Sequence, residues 1–294
     1  MFNFIRMIFS PIIAILDFIT KYFKTIVFLT IIYFVVVDSN ESLTDTNSYA
    51  NLQKIELSGP IMDVSKTLED IEKAKLDKNI KGIMFVVNSP GGSVAPSVEL
   101  AYAIKELKEI KPVVVYASGV IASGSYYASI WANKIIANPG SMVGSIGVIM
   151  QGVNAEELMS KIGVSTQTVK AGKFKESGTP TRKWTDFEEK QLQSVIDDTY
   201  NMFIGDVASA RSLDIKNHTQ FADAKIFTAK QAKEIGLVDE VATISYAQNV
   251  LVTLAKVDTP IWKKQDKFDK FMDRLVSETV SNISTNFISG LKAY

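Results

Sequence analysis

Cysteine is absent from all 294 residues, which removes structural disulfides, thiolate nucleophiles and Cys-ligated zinc or iron–sulfur sites together. Histidine occurs once, as His218 in the polar stretch Lys-Asn-His-Thr-Gln. A metal site built on several histidines is excluded, and neither a metal nor an organic cofactor is expected. A Ser/His/acid triad would have to use His218, whose neighbours read as a solvated loop. Any hydrolase made from this composition needs another base. An excess of charge is missing too, since 32 Lys and Arg balance 32 Asp and Glu. Without a basic stripe beyond the N-terminal region, nucleic acid is not an expected partner. What remains abundant is apolar: 47% hydrophobic and 22% charged residues suit a folded chain with one large core or two modest ones.

The N-terminal forty residues read as a membrane segment. The run Thr25 to Val37 carries no charge. It is too short alone to cross roughly 30 Å of hydrocarbon, which takes about 20 helical residues. Phe18, Tyr22 and Phe23 extend it, with Lys21 and Lys24 able to snorkel toward head groups. Residues 1–37 are thus expected to form an anchor region with a transmembrane helix at about 22–37. Arg6, Lys21 and Lys24 precede the run while Asp38, Glu41 and Asp45 follow it. This bias orients the N-terminus to the cytoplasm and the rest of the chain outward across a cytoplasmic (inner) membrane, as a single-pass protein. Residues 1–20, interrupted by Arg6, Pro11 and Asp17, suit an interfacial helix, and no small-residue cleavage site follows the apolar run. Residues 38–52 read as a polar linker.

From Lys54 onward, short β-rich runs alternate with helical patterns, which predicts a layered α/β domain with largely parallel strands over residues 53–256. Strands are expected at Lys54 to Ser58, Lys81 to Val87, Pro112 to Tyr116, Lys134 to Ala137 and Thr166 to Val169. Helices are expected over Val64 to Leu76 and Ala95 to Ile110. Thr185 and Glu188 form a capping-box pattern before a long helix whose apolar face would be Leu192, Val195, Ile196, Tyr200, Phe203 and Val207. Residues 257–294 carry apolar positions at Phe268, Phe271, Leu275, Ile283, Phe287 and Leu291, a C-terminal amphipathic segment for a partner subunit, the domain or the membrane surface.

Three small-residue clusters fall where α/β proteins place their sites, after the C-terminal ends of strands. In Asn88-Ser-Pro-Gly-Gly-Ser93, Gly91 and Gly92 allow backbone N–H groups to face a cleft, as donors to an oxyanion or phosphate; a plain strand-to-helix turn explains them equally well. In Ala122-Ser-Gly-Ser-Tyr-Tyr127, Ser123 opens a helix, either as a nucleophile or as an ordinary N-cap. The α/β-hydrolase elbow Gly-x-Ser-x-Gly is absent. Gly144-Ser-Ile-Gly147 is followed by Lys170-Ala-Gly-Lys-Phe-Lys-Glu-Ser-Gly178. A lysine there can act as general base if burial or positive neighbours lower its pKa, although most loop lysines are simply solvated.

In order and spacing these clusters resemble the signal peptide peptidase A family, Ser/Lys peptidases of the Clp protease and crotonase superfamily. The resemblance runs from Ile55-Glu-Leu-Ser-Gly-Pro-Ile61 through Asn88-Ser-Pro-Gly-Gly92, Ala122-Ser-Gly124, Tyr126, Tyr127 and Gly144-Ser-Ile-Gly-Val148. It continues to Lys170-Ala-Gly172, Lys175 and Pro180, then Gln231-Ala232 and Gly236-Leu-Val-Asp239. It implies a ClpP/crotonase-like layered α/β fold, Ser123 as nucleophile and Lys175 as general base, with Lys173 the rival. It further implies Ser145 as a support for the lysine and oxyanion donors from Gly91 or Gly92 and from Gly124. Ser125 and Ala224 stand where many relatives have glycine; the first adds a second hydroxyl beside the nucleophile. The implied function is degradation of remnant signal peptides by a membrane-anchored endopeptidase. The implied partners are hydrophobic peptides, the membrane and further copies of the chain in a homo-oligomer. An extended peptide is expected to pair with the strand edge beside Pro90 to Gly92. Two alternatives stay open: a related Ser/Lys protease acting on a membrane protein, and a non-catalytic scaffold with the same fold.

Overall fold

The computed structural model describes residues 17–30, 32–33 and 49–264. They belong to two compact units, one holding the N-terminal residues to Tyr49 and the other running from Ala50 to Lys263. The first contains helix α1, residues 17–30, with exposed Phe18, Phe23 and Phe28. Among the described residues, no helix is long and apolar enough to cross a membrane. The expected span at about 22–37 includes residues 31 and 34–37, which lie outside the described residues. So do residues 1–16 of the anchor region, most of the linker, and 265–294 of the C-terminal segment.

The second unit is a mixed α/β fold on a mostly parallel sheet. Its elements are β1 (Leu52–Ser58), α2 (Ser65–Leu76), β2 (Gly82–Ser89), α3 (Val94–Lys108), β3 (Val113–Ala122), α4 (Gly124–Ser129), β4 (Lys134–Ala137) and β5 (Met142–Gly144). There follow α5 (Glu156–Lys161), α6 (Asp186–Arg211), α7 (His218–Phe221), β6 (Ile226–Thr228), α8 (Ala229–Glu234), β7 (Glu240–Val241) and α9 (Ile244–Leu254). The order β1-β2-β3-β4-β7 is parallel throughout, and β5 pairs with the far end of β3 while β6 joins it antiparallel.

Side chains alternate across the central strands, so both sheet faces are buried and the strands read as continuous apolar runs. Ile83, Phe85 and Val87 of β2, with Val113 and Val115 of β3, join the main core beneath α2, α3 and α4. Met84, Val114 and Tyr116 point the other way and pack with Ala247 and Leu251 of α9. The free edge of β1 is partly covered by residues just before 264: Leu52 bridges Trp262, and Lys263 N–H donates to the Leu52 carbonyl at 2.7 Å.

The expected strand at Thr166 to Val169 does not form. Its β-branched residues find no neighbouring strand, Val169 is fully exposed, and propensity without a pairing edge does not make a strand. Strand β3 runs six residues past the expected Tyr116, because after a register shift its second half changes partner from β4 to β5. The capping box at Thr185 and Glu188 is present at the start of α6. Only the second half of that helix enters the core, through Phe203, Ile204, Val207 and Ala208; Val195 of the expected apolar face is 52% exposed.

Candidate active site

Strand β3 carries an irregularity that aims its last residues. Val87 faces Ala117, but Ser89 faces Ile121, so β3 has two residues more than β2 over that interval. Such a bulge re-aims a strand end. It is stitched by side chains: Asn88 Oδ1 accepts the Val120 N–H at 3.0 Å, and Ser118 Oγ donates to the Val87 carbonyl at 3.2 Å. Gly119 must be glycine there, because a Cβ would lie 2.5 Å from Asn88 Oδ1.

Beyond the bulge the chain turns at Ser123, with φ 53° and ψ −125°, before α4 begins at Gly124. A non-glycine residue in that region costs of order 1–3 kcal/mol and persists only where its surroundings over-determine it. They do so here. Ser123 N–H donates to the Gly144 carbonyl at 2.8 Å, and its carbonyl accepts the Tyr127 N–H at 3.0 Å. Fully buried Ser125 ties the same turn: its Oγ accepts the Ala122 N–H at 2.9 Å and lies 2.6 Å from the Ser89 carbonyl. Ser123 is the N-cap by position, yet its side chain makes no cap hydrogen bond. Its hydroxyl is left unpartnered among the described residues and lines a cleft.

The glycines meet the serine from the β2 side. Gly91 has φ +91°, and a Cβ there would stand 2.6 Å from Gly124 N and 2.8 Å from Ser123 Cβ, so only glycine lets the two turns touch. Gly91 N–H donates to Ser89 Oγ at 3.2 Å, which occupies it. Ile61 N–H donates to the Gly91 carbonyl at 2.9 Å, and Ser93 N–H to the Ile61 carbonyl at 2.8 Å. Gly92 N–H therefore takes no part in the Ile61 bridge, and its nitrogen lies close to Gly124, 3.3 Å from where a Cβ on that residue would stand, at the start of α4. Neither the Gly92 nor the Gly124 N–H has a partner among the described residues. Of the strand edge beside Pro90 to Gly92, expected to pair with an extended peptide, one side is taken at Gly92 by Ile61 of the chain itself.

The cleft holds about 90 Å³ and is mostly apolar, with Val94 and Val98 from α3, Tyr127 from α4, Ile149, and Met202 and Phe203 from α6 around Ser123. The α6 wall was not foreseen as part of the site; the i, i+3, i+4 spacing of Thr199, Met202 and Phe203 was its only signal. Tyr127 stacks edge-on against Phe203 at 4.7 Å and donates its hydroxyl to Asp206 of the same helix. Burial, and then that carboxylate, push the phenol pKa up, so it remains a neutral donor.

Ser145 follows Gly144, whose carbonyl accepts the Ser123 N–H, so its backbone is close to Ser123, though it is not among the cleft-lining residues. Its φ is 51°, and its N–H donates to the Lys225 carbonyl at 2.7 Å. Lys175 is elsewhere. It is exposed on a turn between Gly172 and Gly178 and does not line the cleft. Lys173 sits with Nζ 4.4 Å from the centre of the Phe187 ring, a cation–π contact with the first turn of α6. One chain thus brings Ser123, Gly91, Gly92, Gly124 and Ser145 together and leaves Lys175 out. His218 is remote in character: its ring packs edge-on against Tyr200, 6.1 Å away. Among the described residues no cluster of His, Asp or Glu is suited to a metal.

A strained, uncapped serine between a parallel strand and a helix, lining an apolar cleft with two glycines whose N–H groups have no partner among the described residues, suits a hydrolase of the serine-nucleophile class. The chain belongs to peptidase family S49, whose sequence profile matches residues 105–258, and it is a serine peptidase. It is 46% identical over 193 residues to a candidate protease of Methanocaldococcus jannaschii, covering 66% of this chain and 61% of that one. It is 32% identical over 232 residues to a candidate signal peptide peptidase of Enterococcus faecium, covering 74% and 67%. A chloroplastic serine protease of Arabidopsis thaliana is 30% identical over 207 residues, covering 70% of this chain and 30% of its own length.

Proposed function

We propose that this chain is a membrane-anchored endopeptidase that degrades remnant signal peptides, using Ser123 as nucleophile and Lys175 as general base, with the site completed between copies of the chain. The observation that carries the nucleophile is the free Ser123 hydroxyl beside the open N–H groups of Gly92 and Gly124. Ser123 Oγ attacks the scissile carbonyl, neutral Lys175 takes its proton, and the two amides stabilise the tetrahedral oxyanion. The leaving amine takes a proton from the lysine, and water activated by the same lysine releases the acyl-enzyme. Gly91 contributes close approach, its own N–H being engaged.

A lysine serves as base only when desolvation or positive neighbours lower its pKa, and an exposed Lys175 in a single chain has no such cover. Docking its turn onto a second copy's cleft supplies that cover, with Ser145 on the receiving side. Exposed Ile149, Val153, Leu158 and Val169 in the same region of the chain favour burial against another copy. The apolar cleft suits a hydrophobic side chain. The charge asymmetry around residues 25–37 supports an anchor in the cytoplasmic membrane with the peptidase domain on the outer side, where peptides left in the bilayer are close at hand.

The test uses the full chain in detergent with synthetic signal peptides. Cleavage is expected, and Ser123→Ala and Lys175→Ala should each abolish it with the circular dichroism spectrum unchanged. A chain that leaves signal peptides intact while cutting a membrane protein would replace this substrate with the alternative one.

A further inference from the structure

We propose that Arg182 and Glu188, acting through Glu176, are positioning residues that fix the Lys175 turn in its catalytic orientation. The proposal rests on Lys175 being the base. Its starting point is a buried charge: the Glu188 side chain is 0% exposed. A carboxylate in such a place is retained only when its oxygens are fully paired. Arg182 supplies a fork, Nη1 to Oε2 at 2.9 Å and Nη2 to Oε1 at 2.8 Å, while the Thr185 N–H and hydroxyl each donate to Oε2 at 2.9 Å.

The hydroxyl and N–H of Thr185 would satisfy a capping box without any arginine. Arg182 adds a second reach: the same Nη2 lies 3.3 Å from Glu176 Oε2, and that oxygen also accepts from Lys170 Nζ at 2.5 Å. Charges therefore alternate from Lys170 through Glu176 and Arg182 to Glu188, and the first two bracket Lys175 in sequence. Between them, Lys173 and Phe174 rest on Phe187 in the first turn of α6, the rings 5.4 Å apart. Arg182, foremost, holds the Glu188 carboxyl well below the usual range, and Lys170 does so for Glu176, so the chain of pairs stays ionised near neutrality. Around Lys175 the turn is tied to the start of α6 at three places, while the Lys175 side chain itself has no partner among the described residues. That is the arrangement expected of a group presented to something else.

Glu188→Gln keeps the shape and removes the charge and half of the fork. With full-length protein and a signal-peptide substrate, kcat is expected to fall about tenfold to hundredfold with KM within about twofold, as for other misplaced groups. The acid limb of the pH–rate profile should move to higher pH, because a loosened lysine stays in water. Arg182→Lys, which keeps charge and loses the fork, should change kcat and the pH limb in the same direction by less. A lower Tm with kcat and pH profile unchanged per folded molecule would reduce the network to a structural cap and overturn the proposal. Should Glu188→Gln fail to fold, Lys170→Met at the partly exposed end decides: kcat down about threefold at constant KM supports it, and unchanged kcat overturns it. Lys175→Ala is measured alongside. Retained activity there sinks the dyad itself, whereas an inactive Lys175→Ala beside a kinetically normal Glu188→Gln sinks only the positioning role.

Discussion

Ser123 sits where a buried strand meets a buried helix, its N–H and carbonyl both bonded, its neighbour Ser125 locked into the same turn. Lys175 sits on an excursion, residues 149–185, that shows Ile149, Val153, Leu158 and Val169 to solvent and is held to α6 by the Arg182–Glu188 pair and by contacts of Lys173 and Phe174 with the Phe187 ring. The half that must stabilise an oxyanion needs geometry fixed to fractions of an ångström, and the core supplies it. The proposed proton carrier is exposed in the single chain, and the reading of Lys175 as base requires a partner that covers it. On the proposed reading, the difference teaches that the fold builds the serine side within one chain and leaves the lysine side to be covered by another copy.

The comparison breaks most visibly if either half is removed. Ser123→Ala should lower peptide hydrolysis by about three orders of magnitude or more and abolish labelling by a fluorophosphonate, with Tm little changed. Lys173→Ala should leave most of the activity, and a large loss there would transfer the base to that residue. Next in size is Gly92→Ala, whose Cβ would fall 2.1 Å from the Ile61 carbonyl oxygen. The strand end must shift, misplacing one oxyanion donor, and kcat should drop about a hundredfold at similar KM.

Smaller effects separate structure from chemistry. Ser125→Ala should destabilise the fold by about 1–3 kcal/mol, read from urea denaturation, because it strips buried hydrogen bonds from the turn; fluorophosphonate labelling of Ser123 should persist. Acid should loosen the lysine side first. Glu188 and Glu176 lie below the ordinary glutamate value of 4.5 when folded, so their pairing stabilises the arm fully above that pH and is lost as pH falls through their lower folded values. Fluorescence of Trp184, whose Nε1 donates to the Thr179 carbonyl at 2.9 Å, should change on acidification before the far-ultraviolet dichroism does. Smallest of all, Ala224 has φ 53°, a region glycine enters without strain, and Ala224→Gly should be neutral to about 1 kcal/mol more stable.

Much of this contrast was legible in the residues. Lys134 to Ala137 is the strand its pattern predicts, and Thr185 with Glu188 does cap α6. The three small-residue clusters were visible as clusters because glycine and serine gather directly after apolar strand runs, although turns and helix caps use the same residues. Which glycine amide stays free was not legible, since it depends on Ser89 taking the Gly91 N–H and Ile61 taking one side of the strand edge. The bulge in β3 was not read, although Ser118 and Gly119 inside the run marked it: their partner Asn88 lies on the neighbouring strand and becomes visible only in three dimensions. Thr166 to Val169 misled because β-branched residues signal a strand whether or not an edge is available. Glu188 read only as half of a capping box, and its fork with Arg182 needed three dimensions.

The most direct test is complementation in one membrane. Ser123→Ala and Lys175→Ala chains, each inactive alone, are co-expressed and purified together through different tags. The account predicts that mixed assemblies recover signal-peptide cleavage, because one interface pairs an intact serine with an intact lysine. Mixed assemblies that form and remain inactive would contradict it.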